Sequence, residues 1–214
     1  MNLLIHFPVK GHHDKFFETL LSYYENLDSS ENVQFNIVVE ENDFDKDELE
    51  YLRNFVNLKV NIVNSKNKIE AINSCIPDDG WGVLMLASHD MIPIKQGFDT
   101  YIVRAMSNVF PDTDGVLWYL DERKPDVCTL AVLGKKYYDR FGYIYNNSYV
   151  SAFCDNEFGE VAEKLGKCFR IDYPITRHDH PIWTGEEFDK EKFFSELAID
   201  KKTYIERKEN NFGL

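Results

Sequence analysis

Val83-Leu84-Met85-Leu86-Ala87-Ser88-His89-Asp90-Met91-Ile92-Pro93 decides how this chain is read. An unbroken apolar run passes abruptly into Ser88-His89-Asp90, and Pro93 marks a turn. A run of this kind suits a strand covered on both faces of a parallel sheet. Polar residues at the carboxyl end of such a strand stand where open α/β sheets place their ligands. Asp90 therefore offers a carboxylate for Mg²⁺ or Mn²⁺, hard cations that take oxygen ligands and share them with phosphates. The alternative is an aspartate that only caps the turn before Pro93.

The sequence on either side of that run supplies the rest of a sheet. Leu3–Phe7, Val33–Val39 and Leu58–Val63 read as strands. Between them, Asp14 opens a helix with Phe16, Phe17, Leu20, Leu21 and Tyr24 at buried spacing, and Asp45–Phe55 and Asn64–Ile76 read as two more. This β-α-β-α-β-α-β order calls for a mostly parallel sheet with helices on its faces, an α/β Rossmann-like architecture. After residue 95 the rhythm breaks. Gln96–Phe110, Lys135–Phe141 and Asp155–Leu165 read as helices, and Gly115–Leu120, Cys128–Leu133 and Cys168–Tyr173 as strands. Residues 177–181 form a polar loop, and 186–214 a charged, helical segment packed on the outside. One domain is expected, with a first half over 1–95, a second over 96–180 and a helical extension over 181–214.

Bulk composition removes several classes. The chain has 214 residues, 43% of them hydrophobic, which is enough for one sizeable core. It contains no apolar run long enough to span a membrane. Its opening residues are too short and uncharged for a secretory signal. Cys75, Cys128, Cys154 and Cys168 are scattered without a C-x-x-C pair, so free thiols and a cytoplasmic location are expected. A net charge of −13 disfavours extended binding to nucleic acid without excluding a local basic groove.

Four further clusters carry chemistry-bearing residues. His178 and His180 form an H-x-H pair that offers a metal ligand, or else belong to a solvated loop. Asp155 and Glu157 open a helix, where carboxylates are favoured as caps; one of them pointing into a cleft would serve as a general base, and their i, i+2 spacing puts them on different faces. Asn64-Ser65-Lys66-Asn67-Lys68 opens a helix after the third strand, where backbone amides and lysine charge can meet an anion. Glu40-Glu41-Asn42-Asp43 follows the second strand, where nucleotide-binding sheets often keep an acid for ribose or base.

The order of these motifs resembles the GT-A glycosyltransferases, close to the family 2 type. Ile5-His6-Phe7-Pro8-Val9-Lys10-Gly11 resembles the family's opening nucleotide-binding loop, and Asn67-Lys68-Ile69-Glu70-Ala71-Ile72-Asn73 its helix after the third strand. Leu84 to Pro93 resembles its strand ending in an aspartate motif, Phe153-Cys154-Asp155-Asn156-Glu157-Phe158 its later acidic helix start, and His178-Asp179-His180 its late histidine. The resemblance implies a single transferase domain of the GT-A fold over roughly residues 1–180. It implies a nucleotide-sugar donor, a UDP-sugar first among them, bound by Pro8, Val9, Glu40, Glu41, Lys66, Asn67, Lys68, Asn73, Ser88 and His89. It implies Mn²⁺ or Mg²⁺ on Asp90 with His178 or His180, a base at Asp155 or Glu157, and direct inverting attack by an acceptor hydroxyl. One departure stands out: the family's aspartate motif begins with an acid, and Ser88 occupies that position here.

Three rivals are weighed. A binding module for a nucleotide sugar or glycan would need no catalysis. The His89-Asp90 and His178-Asp179 pairs are also a pattern of HD-type metal phosphohydrolases, which resemble an all-helical design. A viral transferase acting on a modified DNA base is a special acceptor case, and the negative charge speaks against it.

Overall fold

The computed structural model describes residues 1–214. In chain order the elements are β1 (Leu3–Val9), α1 (His13–Glu25), β2 (Val33–Glu40), α2 (Lys46–Leu52), β3 (Leu58–Val63), α3 (Lys68–Asn73), β4 (Val83–Leu86), β5 (Met91–Pro93) and α4 (Phe98–Val109). Then come β6 (Val116–Tyr119), β7 (Val132–Gly134), α5 (Lys135–Asp139), α6 (Cys154–Lys164), β8 (Cys168–Ile171), β9 (Thr176–His178), α7 (Pro181–Thr184) and α8 (Lys190–Glu209). Seven strands form one sheet in the order β3-β2-β1-β4-β7-β6-β8, and β5 pairs with β9 in a separate ribbon. Only β7 runs against its neighbours β4 and β6; the remaining pairs are parallel. The fold is thus the mixed, mostly parallel α/β sheet that the sequence calls for.

The alternation of β1 shows why helices cover both faces. Leu3, Ile5, Phe7 and Val9 point to one side, into a core shared with Phe16, Leu20 and Tyr23 of α1 and Phe98, Ile102 and Met106 of α4. Leu4 points to the other side, toward Ile69 and Ile72 of α3 and Phe158 and Ala162 of α6. In β4 all four residues, Val83 to Leu86, are buried, as a strand interior to such a sheet requires.

Several boundaries differ from expectation, each because a long-range contact decides it. The turn expected at Pro93 is a strand: Met91, Ile92 and Pro93 pair antiparallel with His178, Arg177 and Thr176. The same pairing converts part of the polar loop at 177–181 into β9, and the remainder opens α7. The helix expected over 64–76 is only Lys68–Asn73, because Asn67 takes the cap and the Ser65 and Lys66 amides bond to Glu40 and Glu70 side chains. On α1, Tyr23 and Thr19 are buried whereas Leu21 is 40% exposed. No helix is long and apolar enough to cross a membrane.

Topology puts the loops that follow the parallel strands on one edge. The carboxyl ends of the parallel strands β1, β2, β3, β4 and β6 lead into residues 10–12, 40–43, 64–67, 88–90 and 120–124. Because β6 is two antiparallel steps from β4, it points the same way as β4, and Asp121 emerges beside Asp90.

Candidate active site

The site is built on the end of β4. The amide of Ala87 still donates to His6 O at 2.8 Å, and the chain then turns, with the Met91 amide donating to Ser88 O at 3.0 Å. The β5–β9 pairing sets Met91 opposite His178, and the Asp179 amide donates to Asp90 O at 2.7 Å. Residues almost ninety positions apart in sequence are thereby neighbours. Asp90 Oδ2 lies 3.8 Å from His178 Nε2. Asp90 Oδ1 accepts from the Ser88 hydroxyl. Burial works to raise the Asp90 carboxyl, but the field of Lys68 and the Ser88 hydrogen bond outweigh it and hold the group below its ordinary value. Asp90 is therefore ionised at neutral pH.

The other ring nitrogen of His178 meets a residue that the sequence reading did not single out. His178 Nδ1 is 2.6 Å from Oδ2 of Asp121, which is 6% exposed. Burial pushes this carboxyl up, yet its bonds to His178, to the Thr129 hydroxyl at 2.7 Å and to the Arg123 amide at 2.8 Å bring it down to about 2. Asp121 carried the same signal as Asp90, an acid at the tip of an apolar run, here Gly115–Leu120.

Asp155 is linked to Asp90 through the charge of Lys68. It sits in the first turn of α6, half-buried, with Oδ1 accepting from the Asn156 amide at 2.9 Å. Burial raises its carboxyl above the ordinary range, opposed by the charges of Lys124 and Lys68. Lys68, at the start of α3, acts on both Asp90 and Asp155. Lys68 and Lys124 are exposed and make no ion pair within the chain. A carboxylate held above its ordinary range within the field of exposed lysines is suited to taking a proton.

The remaining expected site residues divide. His89 stays at the mouth: its ring stacks on His12, centroids 4.8 Å apart, and burial lowers its pKa to about 4, so it is neutral. His12 holds a left-handed backbone, φ 53°, just after Gly11 at φ 61°, a sharp double turn out of β1. Pro8 and Val9 close β1 just before that turn, and the Gly11 amide donates to Asp43 Oδ2 at 2.8 Å. Glu41 is exposed beside it. His180 Nδ1 accepts the Ile182 amide at 3.2 Å, so the neutral ring keeps its proton on Nε2. Burial lowers its pKa, and Trp183 and Phe193 pack around it. That tautomer donates rather than ligates. Of the two histidines offered as metal ligands, only His178 presents a free ring nitrogen to Asp90.

Other expectations are corrected by where the side chains go. Glu157 is buried away from Asp155: Arg207 Nε and Nη2 each donate to it at 2.7 Å, and so does the Tyr149 hydroxyl. Both its oxygens are engaged, so it is a clamp between α6 and α8. Asn73 donates to Tyr145 O at 2.6 Å and to Asn147 Oδ1 at 2.7 Å, and accepts from the amides of Ile144 and Tyr145, which uses its whole capacity. Two of the amides expected to meet an anion before α3 are occupied. Ser65 N donates to Glu40 Oε2 at 3.1 Å, Lys66 N to Glu70 Oε2 at 2.8 Å, and Asn67 caps Glu70 N. Glu40 thus ties β2 to the loop after β3, and the side chains of Lys66 and Lys68 stay exposed there.

A divalent cation fits what is present. No group of three or more His, Cys, Asp or Glu is arranged to enclose a metal. Asp90 Oδ2 and His178 Nε2 make an oxygen–nitrogen pair, and the Nδ1-to-carboxylate bond behind His178 is the usual support of a metal-ligating imidazole. Two protein ligands with the rest from substrate phosphates and water is the ordinary arrangement for Mg²⁺-type ions at phosphate chemistry.

Solved structures share this architecture. A mannosyltransferase of Pyrobaculum calidifontis, PcManGT, in complex with GDP-Man and Mn²⁺, superposes with a TM-score of 0.67 at 11% identity, over 83% of this chain and 56% of that one. S. aureus TarS 1-349 gives 0.66 at 14% identity, over 85% of this chain and 61% of that one. Its complex with UDP-GlcNAc gives 0.64 at 14% identity, over 93% and 65%. The chain therefore has the fold of GT-A-type glycosyltransferases, and it spans about six-tenths of the length of these neighbours. No family model and no curated protein matches the sequence.

Proposed function

We propose that the chain is a glycosyltransferase, moving a hexosyl or pentosyl group from a nucleotide sugar to an acceptor hydroxyl with help from Mn²⁺ or Mg²⁺. The observation that carries the reading is Asp90 Oδ2 facing His178 Nε2 at 3.8 Å, at the carboxyl edge of a GT-A-type sheet, with Asp155 in reach of the same lysine charge. The complexes of the neighbours with GDP-Man, Mn²⁺ and UDP-GlcNAc support both the donor class and the ion. UDP-sugars come first in the donor panel, and GDP-sugars second.

Asp90 and His178 would hold the cation, which when bound supplies Lewis-acid stabilisation of the diphosphate. Lys68 and Lys66 complement the diphosphate charge. Asp155 takes the acceptor proton as the acceptor oxygen bonds to the anomeric carbon, and the electron pair of the broken C–O bond leaves with the nucleoside diphosphate. Direct inverting displacement, as the resemblance to family 2 type transferases implies, needs only this one base and no covalent sugar–enzyme intermediate.

The test is donor hydrolysis with Mn²⁺ across a panel of nucleotide sugars. One donor is expected to turn over slowly, and Asp90→Ala to lose at least about 100-fold of that rate. Full metal-dependent activity in Asp90→Ala would overturn the assignment. Ser88 in place of the family's first acid favours a second reading, a non-catalytic nucleotide-sugar or glycan module; binding of the donor with no hydrolysis under any metal would select it. The phosphohydrolase rival is set aside by the sheet fold, since the HD design it resembles is all-helical and the His89 ring stacks on His12. The acceptor is left to a screen of glycans, proteins, lipid-linked sugars and modified DNA bases.

A further inference from the structure

One buried carboxylate holds two parts of the site. Asp121 Oδ2 accepts from His178 Nδ1 at 2.6 Å and from the Thr129 hydroxyl at 2.7 Å. Its Oδ1 accepts the amides of Arg123 at 2.8 Å and Lys124 at 3.3 Å. The opposite nitrogen of His178 faces Asp90. We propose that Asp121 is a positioning residue, which fixes His178 as an Nε2 ligand and anchors, through the same side chain, the turn that carries Arg123 and Lys124. The proposal rests on the metal-dependent reading above.

The physical basis is the one-way chemistry of a carboxylate. Ionised, it only accepts, so the proton on the neutral ring must sit on Nδ1 and the lone pair on Nε2. An asparagine in its place can donate from its amide to Nδ1, which drives the proton to Nε2 and blocks that nitrogen as a ligand. The same exchange of aspartate for asparagine behind a histidine is known to impose the wrong tautomer in serine proteases. Thr129 and the two backbone amides hold the carboxylate in place, so the ring is oriented before any ligand arrives.

Two measurements test this. Ring ¹⁵N–¹H correlation spectra without metal should show His178 as the Nδ1–H form in the unaltered protein and as the Nε2–H form in Asp121→Asn. Mn²⁺ binding, followed by electron paramagnetic resonance in the presence of UDP, should weaken about 10- to 100-fold in Asp121→Asn. UDP binding without metal should not change. In a His178→Ala background, Asp121→Asn should cause no further loss, because Asp121 acts through that ring. Thr129→Val, which removes one bond to the carboxylate and leaves the turn amides, should weaken Mn²⁺ in the same direction by less; it serves if Asp121→Asn fails to fold. An Nε2–H ring in the unaltered protein, or an equal loss with and without His178, overturns the proposal. Failure of the unaltered protein to bind Mn²⁺ with UDP overturns the metal reading itself, and is recognised by a tautomer switch that persists with no metal signal.

Discussion

Two positions separate Asp155 from Glu157, and the first turn of α6 directs them to different surroundings. Asp155 takes one backbone amide and no side-chain partner, whereas Glu157 is closed in by Arg207 and Tyr149. Replacing Asp155, the proposed base, should therefore harm chemistry and leave binding intact. Asp155→Asn is expected to lower kcat by about 10²- to 10⁴-fold with little change in donor KM. Burial raises the Asp155 carboxyl, so the rate should climb with pH through a midpoint above 3.8, the base being active only once deprotonated. A pH profile of the unaltered protein that lacks this limb, or an Asp155→Asn variant that retains it, would move the proposed base elsewhere. The choice between the two carboxylates was open in the sequence, where both fit a helix start. Only the position of Arg207, fifty residues on, closes it.

At the scale of elements, polar groups inside the sheet decide how the first strands behave with pH. His6 on β1 is fully buried, with Nε2 2.8 Å from Ile72 O and Nδ1 2.9 Å from the Asn36 amide nitrogen on β2. Asn61 on β3 donates to Asn36 at 2.8 Å and completes a ladder across three strands. Burial lowers the pKa of His6 from 6.5 to about 4, only partly offset by its bond to Ile72. The folded ring is neutral where the unfolded one begins to bind a proton. Stability from this group is thus complete above about 6.5 and is lost as pH falls toward 4, on the order of 3 kcal/mol in all. Denaturant unfolding at a series of pH values should show that slope, and His6→Gln should flatten it; an unchanged slope would contradict the assignment. His89, also lowered to about 4, adds a part that the His6 variant keeps. At the junction of α6 and α8, Glu157→Ala leaves the Arg207 guanidinium and the Tyr149 hydroxyl without their partner. It should cost about 3–5 kcal/mol in unfolding experiments. Turnover per folded molecule should be unchanged, and a fall like that of Asp155→Asn would restore Glu157 to the chemistry.

For the whole molecule, ligand and metal should act as one. A nucleotide that binds only the folded chain stabilises it by about 2.7 kcal/mol at a hundred times its Kd. For a chain of this length that corresponds to a rise in Tm of about 5–10 °C. The rise with UDP or GDP is expected in Mn²⁺ and should be largely abolished by EDTA. A full shift in EDTA would show that Asp90 and His178 do not share an ion with the nucleotide. The net charge of −13 is spread over a surface whose unpaired cations include Lys66, Lys68, Arg123 and Lys124 at the site edge. An anionic diphosphate is therefore met by local positive charge against an unfavourable overall field.

The sequence by itself determined the sheet, because the apolar-patterned runs Leu3–Phe7, Val33–Val39, Leu58–Val63 and Val83–Ala87 carry their period in neighbouring residues. It also determined that Asp90 stands at a strand tip, since the break from Ala87 to Ser88 is local. Tertiary structure decided the partners. That His178 and not His180 faces Asp90 depends on the β5–β9 pairing and on the Ile182 amide that occupies His180 Nδ1. That Asn73, Glu40 and Glu157 hold the fold together follows from contacts 25 to 72 positions away, with Asn73 reaching Tyr145, Glu40 reaching Ser65 and Glu157 reaching Arg207. Asp121 joins the site because β6 returns parallel to β4 two strands over. A hydrogen bond between residues distant in sequence leaves no trace in either one's local pattern, and that is the physical limit of what the chain discloses before it folds.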